Sequence, residues 1–335
     1  MSTAKPQGKA HKHHFLPECY LKGWIGPEGH LVEYAQRYRG VQPRWTAPGG
    51  TGYALDLYAM PALGKRSDAL ENRLMSMIDS AAATALARMR GGDPLDLDAR
   101  TAFATLLTTL LTRTPASIAI LKSKLAEWRV KDRPDTQAIY ERFIWRPGMP
   151  ARAAEVYAAT DTEEDVQNFL AETLTLVLTH DRIIAFLSAM TWQVLTMPTA
   201  AQSLLTGDQP IITSNGLEAK DSFLSLPIGP RQLFLATRSK LEAARFVQRA
   251  GLLKIARRSN RLIVERARRF AYAANEDLSE FVAARFGSNP VQTIGEKMAM
   301  KDPWGAGRPP EYGPDNAIED YVDWVRTQVE TARDK

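Results

Sequence analysis

Residues 163–195 read EEDVQNFLAETLTLVLTHDRIIAFLSAMTWQVL, and the pattern of apolar residues changes near the end of this stretch. Up to residue 190, apolar side chains recur every three or four positions, as in Val166 and Leu170. That spacing is typical of a helix with one buried face. We therefore predict a single long helix from Glu163 to Met190. From Trp192 onward, short β-branched and apolar runs replace the helical spacing and predict strands.

The strand-like runs are separated by Pro, Gly and Asn residues. They are Trp192–Leu195, Ser203–Leu205, Ile211–Thr213, Phe223–Leu226 and Gln232–Ala236. Helical residues return from Lys240 to about Arg269, with an interruption expected near Ser259 and Asn260. Helices beside a cluster of strands, without a regular βαβ repeat, indicate the α+β class. We predict a mostly helical α+β fold with a compact, largely antiparallel β-sheet.

The N-terminal half carries two strong helix signals. A helix is predicted from Ser67 or Asp68 to Arg90, because its apolar residues keep helical spacing and Gly91-Gly92 follows it. A second helical stretch, residues 98–130, contains Pro115. Proline lacks an amide proton and clashes with the preceding turn, so this stretch should split there. Residues 30–34 and 53–58 alternate as short strands around a Gly/Pro-rich connection.

The composition is that of an ordinary globular protein, with 44% hydrophobic and 24% charged residues among 335. The first ten residues lack the apolar segment of a signal peptide, and no run approaches the ~18 apolar residues that span a bilayer. We expect a cytoplasmic protein without membrane association. The single cysteine, Cys19, cannot form an internal disulfide, and we expect it to pack in the core. We predict a flexible N-terminus over 1–12, one α+β domain over 13–300, and a Pro/Gly-rich strap with a last helix over 301–335.

Positive charge is concentrated in one segment. The chain has a net charge of +5, whereas residues 231–271 contain twelve basic and two acidic residues, which makes this segment +10. The rest of the chain is therefore net acidic. Such a segment attracts polyanions and predicts nucleic acid as a partner. The alternative is an arginine-rich helix face that is simply solvated.

Three segments carry a family resemblance. Residues 13–24 read HHFLPECYLKGW, residues 206–211 read TGDQPI, and an Asn-led segment runs from Asn260 to Asn275. They resemble the bacterial family of unknown function DUF4238, whose members share a His-His-Tyr/Phe start followed by Pro and Tyr-Leu, a Thr-Ser-Asp-Asn-Pro-Val motif, and a terminal helix that begins with Asn. The resemblance spans most of the chain. It implies candidate positions but no activity, because the family has no established chemistry.

His13 and His14 are the first candidates for chemistry, because imidazole titrates near neutrality and is a common metal ligand or general base. Adjacent residues on a strand point to opposite faces, so one histidine is expected at a given site unless the backbone turns. We take both as candidate metal ligands and His14 as a candidate catalytic residue. The alternative is that a histidine hydrogen-bonds a backbone group while Pro17 and Tyr20 fix the loop.

Asp208 is the second candidate, because it lies between Gly207 and the Gln209-Pro210 turn, after an apolar strand. Such a position can project a carboxylate into a cleft as a metal ligand or general base. The alternative is an Asx-type turn in which the carboxylate binds the amides that follow it. The resemblance favours a function. Gly207 replaces the serine of the family motif, so no hydroxyl role is expected there.

Glu71 and Asp79 resemble acidic positions in the first long helix of the family. Eight residues at ~100° each place them about 80° apart on the helix. Glu71, together with His13 or His14 and Asp208, would form a mixed oxygen and nitrogen site of the kind that binds Mg²⁺ or Mn²⁺ and activates water. Alternatively, Glu71 lies in the first turn of its helix and stabilises the helix dipole without a catalytic role.

Arg257, Arg258 and Arg261 belong to an arginine-rich helix and are the candidate phosphate-binding residues. The leading hypothesis is a metal-dependent nuclease, with His14, Asp208 and Glu71 as catalytic residues, or another protein that acts on nucleic acid. The alternative is a non-catalytic binding or regulatory module in which the His-Pro and Asp-Pro motifs are structural. A third interpretation is a small-molecule hydrolase with a closed apolar pocket. Whether the protein is an enzyme stays open at this stage.

Overall fold

The computed structural model describes residues 11–60, 74–129, 137, 141, 145–160, 162–214, 217 and 219–300. The α+β prediction is confirmed. In these ranges the chain forms eleven helices and ten strands. The strands are arranged in three small antiparallel sheets, in place of the one compact sheet expected.

The first four-stranded sheet has the strand order β3-β2-β10-β6. Its strands are β2 (Leu31–Arg37), β3 (Gly40–Thr46), β6 (Thr206–Gly207) and β10 (Ala271–Ala273). β10 pairs with β2 through Ala271↔Tyr34 and with β6 through Ala271↔Gly207. The sheet therefore joins the N-terminal region to two segments that are remote in sequence, Thr206–Gly207 and Ala271–Ala273.

The second four-stranded sheet has the order β5-β9-β8-β7, and a two-stranded ribbon joins β1 and β4. The strands are β1 (Lys12–His14), β4 (Tyr53–Leu55), β5 (Thr191–Thr196), β7 (Ile212–Thr213), β8 (Phe223–Gly229) and β9 (Gln232–Thr237). Lys12 pairs with Leu55, so the predicted flexible N-terminus already contains a paired strand residue. Residues 1–10 of that segment lie outside the described residues.

The helices surround these sheets. They are α1 (Glu18–Leu21), α2 (Ser76–Gly91), α3 (Leu97–Thr112), α4 (Pro115–Arg129), α5 (Ala153–Thr160), α6 (Glu163–Leu178), α7 (Asp181–Ala189), α8 (Lys240–Ala250), α9 (Leu252–Arg266), α10 (Ser279–Arg285) and α11 (Ile294–Met300). The stop at Gly91-Gly92 is confirmed, because Gly92 ends α2 in the left-handed region with φ +81°. The split at Pro115 is also confirmed, between α3 and α4. The predicted start of α2 at Ser67 or Asp68 lies outside the described residues.

The predicted strand Ser203–Leu205 is wrong, because β6 begins only at Thr206, and three helical segments also differ from the prediction. The segment 163–190 is two helices, because His180 takes an extended conformation between α6 and α7. The segment 240–269 breaks at Gly251, with φ +72°, and continues through Ser259 and Asn260. The Asn-led segment stops being helical after Arg266, and part of it forms β10.

The largest cluster of buried apolar residues includes the N-terminal block. Phe15, Leu16, Tyr20 and Trp24 pack there with α2, α3 and the second sheet. The Tyr20 hydroxyl hydrogen-bonds Thr206 Oγ1 at 2.6 Å and donates to the Pro227 carbonyl at 2.8 Å. The histidines at the start of this block are therefore held next to a rigid core.

Contacts divide the chain into a unit over residues 1–299 and a second unit over 300–335. The predicted strap and last helix at 301–335 lie outside the described residues. Among the helices described, none is by itself both long and apolar enough to cross a membrane. α3 and the first part of α4 meet that test only as a pair, across a bend of 71°.

Candidate functional site

His13 and His14 end β1 and point to opposite faces of the ribbon, as expected for neighbours on a strand. His13 is buried, its Nδ1 accepts the Tyr58 backbone N–H at 2.9 Å, and its ring stacks on that of Tyr58 at 5.5 Å. His13 Nδ1 is thus engaged in a backbone contact, which is the structural alternative considered for these histidines.

His14 lies on the opposite face, where an open cleft begins. Its Nε2 is 3.7 Å from Glu18 Oε1, and its ring meets the edge of Tyr53 at a centroid distance of 5.7 Å. Burial lowers the pKa of His14 below its usual value, although the nearby Glu18 and Asp79 raise it. His14 is therefore neutral at pH 7, and its ring offers one hydrogen-bond donor and one acceptor.

Arg113 connects the histidine block to α2. It lies at the end of α3 with no exposed surface. Its Nε donates to the Phe15 carbonyl at 3.0 Å, and its Nη1 donates to Asp79 Oδ1 at 3.1 Å. Arg113 thus fixes the backbone next to His14 and neutralises a carboxylate of the same cleft.

Cys19 occupies the wall between these groups. Its thiol donates to the Asp79 backbone carbonyl at 3.5 Å, and the residue packs against the main core, as predicted. Burial, with a smaller contribution from the nearby Asp79, raises the pKa of Cys19 to about 11. Cys19 is therefore protonated at neutral pH and is unsuited to act as a nucleophile.

The cleft between β1, α1 and α2 has a volume of about 420 Å³. Its polar lining comes from Lys12, His14, Glu18, Cys19, Lys22 and Asp79. Most of these residues belong to the N-terminal block singled out in the sequence. The structure therefore gives His14 a cleft, with Glu18 and Asp79 as its acidic neighbours.

Asp208 has a different environment, at the edge of the first sheet. The buried carboxylate accepts the backbone N–H groups of Arg268, Arg269 and Phe270, at 3.2, 2.5 and 3.3 Å. Burial raises the pKa of Asp208, and the hydrogen bonds from these three N–H groups lower it. The effect of burial is larger, so the resulting pKa is about 6. The carboxylate binds the chain sixty residues further on, in place of the local turn considered for it.

Asn260 lies in the middle of α9 and makes the complementary contacts. Its Oδ1 accepts the Leu205 backbone N–H at 2.8 Å, and its Nδ2 donates to the Ser203 carbonyl at 2.8 Å. Because both polar atoms of the side chain are satisfied outside the helix, asparagine does not interrupt α9. Asn260 therefore holds the segment that leads into β6.

Four of the five basic residues of α9 lie on one face, and Arg266 does not share it. Lys254, Arg257, Arg258 and Arg261 are exposed and follow i, i+3, i+4, i+7 spacing. The opposite face is buried and consists of Ile255, Ala256, Ser259, Asn260, Ile263 and Val264. The exposed residues form a stripe roughly 10 Å long. We call Lys254, Arg257, Arg258 and Arg261 the basic stripe.

Arg268 and Arg269 do not join the basic stripe. Arg268 forms a bidentate ion pair with the buried carboxylate of Glu296, and Arg269 lies over the rings of Phe15 and Phe270. Within the stripe, Arg261 is paired, 3.9 Å from Glu265. In the part of the chain that the structure describes, no ion pair involves Lys254, Arg257 or Arg258.

Comparison with known families gives one match. The family model described as "Protein of unknown function (DUF4238)" matches residues 12–277. The chain belongs to this family. Comparisons with curated proteins and with solved structures found no match. The resemblance seen in the sequence is thus confirmed, and the matched DUF4238 region contains both the cleft and the basic stripe.

The predicted site residues of this DUF4238 protein are only partly brought together. The described contacts of His14 and of Asp208 do not include one another. Glu71 lies outside the described residues. Within the ranges that are described, no three His, Cys, Asp or Glu side chains are grouped so as to hold a metal ion. The described donors therefore do not fit a Mg²⁺ or Mn²⁺ site.

Sequence reasoning did not single out Arg113 or Glu33. Glu33 is buried in β2, and its carboxylate binds Arg37 at 3.1 Å, Arg44 at 3.0 Å and the Thr51 hydroxyl. Both residues carried a signal, which is a charged side chain within an otherwise apolar or small-polar run. Such a residue needs a buried partner, and its presence predicts an internal ion pair.

Proposed function

We propose that this DUF4238 protein is a nucleic-acid-binding module that contacts the phosphate backbone through the basic stripe of α9. The observation that carries the proposal is the exposure of four cationic side chains on one helix face. Arginine can donate two parallel hydrogen bonds to a phosphate, and several such contacts release condensed counterions. The buried opposite face of α9 holds the stripe rigidly on the protein.

The charge distribution supports the same proposal. The segment 231–271 carries +10 in a chain of net charge +5, so the rest of the sequence sums to −5. A polyanion is attracted to the basic segment and repelled elsewhere, which orients its approach. On a protein surface whose charges serve only solubility, positive and negative residues are interspersed.

The non-catalytic alternative is favoured over the metal-dependent nuclease by the contacts of Asp208 and His13. Asp208 binds three backbone N–H groups, and His13 binds the backbone of Tyr58. Side chains that anchor remote backbone segments are architectural. In this proposal the His-Pro and Asp-Pro motifs position α9 and the sheets, and the basic stripe makes the contacts with nucleic acid.

The test is fluorescence anisotropy with labelled duplex and single-stranded oligonucleotides over a series of salt concentrations. The variant Arg257→Gln/Arg258→Gln/Arg261→Gln should bind about tenfold more weakly or worse, and its salt slope should fall by about one per cation removed. The matched control is Arg39→Gln/Lys220→Gln/Lys297→Gln, which removes three exposed cations elsewhere. Equal loss in both variants, or salt-independent binding, would contradict the proposal.

A second experiment separates binding from cleavage. The labelled oligonucleotides are incubated with the protein and Mg²⁺ or Mn²⁺, and the products are resolved on a denaturing gel. A binding module leaves the strands intact. Metal-dependent cleavage that disappears in both His14→Ala and Asp208→Asn would instead support the nuclease and overturn the non-catalytic proposal.

A further inference from the structure

Two buried nitrogen atoms in and behind the wall of the cleft beside His14 have no hydrogen-bond partner. They are His14 Nε2 and Arg113 Nη2. Leaving a buried polar atom unpaired is unfavourable, and such atoms are rare in folded proteins. His14 lines the cleft, whereas Arg113 lies behind the wall, where it binds the lining residue Asp79. The unsatisfied His14 nitrogen at the cleft indicates a ligand-binding role.

The dimensions and walls of the cleft suit a small organic molecule. Its volume of about 420 Å³ falls within the usual range for small-molecule sites. Met75 and Ala83 supply apolar wall, while the hydroxyls of Ser76 and Ser80 lie on the same side, along α2. A ligand with an apolar portion and one polar end would match this lining.

The charges of the cleft indicate an anionic polar end. Arg113 and Asp79 neutralise one another, at 3.1 Å. Lys12 and Lys22 then face one remaining carboxylate of the lining, that of Glu18. His14 is neutral, and the charged lining residues by themselves balance, so Arg113 behind Asp79 gives the group around the cleft a net charge of +1.

We propose that this cleft binds a small organic molecule through a phosphate or carboxylate group held between His14 and Lys22. The oxyanion accepts a hydrogen bond from the His14 ring and forms an ion pair with the Lys22 ammonium group. Glu18, which is half-exposed, lies over His14 Nε2 at 3.7 Å and turns away to admit the ligand oxygen. This site is separate in sequence and chemistry from the basic stripe and does not depend on it.

The test is NMR titration of the full-length protein, observed through the ring nitrogens of its five histidines. Inorganic phosphate and acetate are added separately at constant ionic strength, and His14→Gln assigns the His14 signal. At least one of the two anions should shift the His14 signal saturably and raise the pKa of that ring. The anion that does so identifies the group that the cleft recognises. A lack of saturation with both anions would overturn the proposal.

Charge variants give the test a sign. Lys22→Gln should weaken binding about fivefold, whereas Glu18→Gln should strengthen it about fivefold because it removes the opposing charge. Lys220→Gln, a distant exposed lysine, should have no effect. The triple variant of the basic stripe should also leave the titration unchanged; if it abolished the shift, the anion would bind at α9 and the cleft proposal would fail. Weaker binding in Glu18→Gln would overturn it as well.

Discussion

Asn260 binds the backbone that precedes Asp208, and Asp208 binds the backbone that follows the helix of Asn260. Asn260 holds Ser203 and Leu205, just before the strand that leads to Asp208. Asp208 holds residues 268–270, just after the helix that contains Asn260. Between these contacts β6 pairs with β10, through Ala271↔Gly207. The two side chains therefore fix the segments on either side of the β6–β10 pairing, and in this way they set the position of α9 at the edge of the first sheet.

Asn260→Ala should destabilise the protein by about 3 kcal/mol, because it leaves two buried backbone groups without partners. The measurement is urea unfolding followed by circular dichroism. Ser259→Ala is the matched control, since Ser259 is the preceding buried residue and its hydroxyl has no hydrogen-bond partner in the described structure. That substitution should change the free energy of unfolding little. Equal effects would show that Asn260 acts only by filling space.

The ion pair between Arg113 and Asp79 should be strongly coupled. Arg113→Met should cost about 3 kcal/mol or more, because the substitution removes the partner of Asp79 and the hydrogen bond to Phe15. The double variant with Asp79→Asn should cost less than the two single substitutions together. Urea unfolding of the four proteins gives the coupling free energy.

The control for this cycle is Arg88 and Asp96, an exposed pair at 2.5 Å. Water screens that pair, so its coupling should be far smaller. A coupling of similar size in both cycles would mean that burial of Arg113 adds nothing to the interaction.

Local signals predicted part of this fold correctly. Gly91-Gly92 ended a helix and Pro115 split another, because both effects depend on a residue and its immediate neighbours. β3 was not predicted, and it contains Pro43. That strand lies at the edge of its sheet, where a missing amide proton is tolerated.

The contacts of the site depended on remote partners that local patterns do not reveal. Ser259 and Asn260 were expected to interrupt the helix, yet Asn260 is satisfied by the chain near residue 204. Asp208 was expected at a metal site or in a local turn, yet it binds residues 268–270. His13 and His14 were singled out as the first residues to examine, but the sequence pattern could not assign Arg113 as a neighbour of His14.

Cys19 should react slowly with alkylating reagents in the folded protein. Burial raises its pKa from 9.0 to about 11, which reduces the thiolate fraction roughly 100-fold at neutral pH. Because the chain has a single cysteine, mass spectrometry after iodoacetamide treatment reports this site alone. When the protein is unfolded in urea, the rate of alkylation at neutral pH should rise by roughly 100-fold or more. Equal rates in folded and unfolded protein would contradict the protonated, buried thiol.

Asp208 should make stability depend on pH in an unusual direction. Burial raises its pKa from 3.8 in the unfolded chain to about 6 in the folded protein. The folded protein therefore holds this proton more tightly than the unfolded chain does. The stabilisation that results is fully present below the unfolded pKa and is lost as pH rises through the folded pKa. By linkage it amounts to about 3 kcal/mol.

The measurement compares the free energy of unfolding of wild type with that of Asp208→Asn, which cannot titrate, between about pH 4 and 7. The wild-type value should fall relative to the variant as pH rises. Asp96→Asn provides a contrast of opposite sign, because the hydrogen bonds from Arg88 and the Ala99 N–H lower the pKa of Asp96. A difference for Asp208 that rises with pH would mean that the three backbone N–H groups outweigh burial. The Asp208 carboxylate would then be ionised and bound to these N–H groups across the whole pH range.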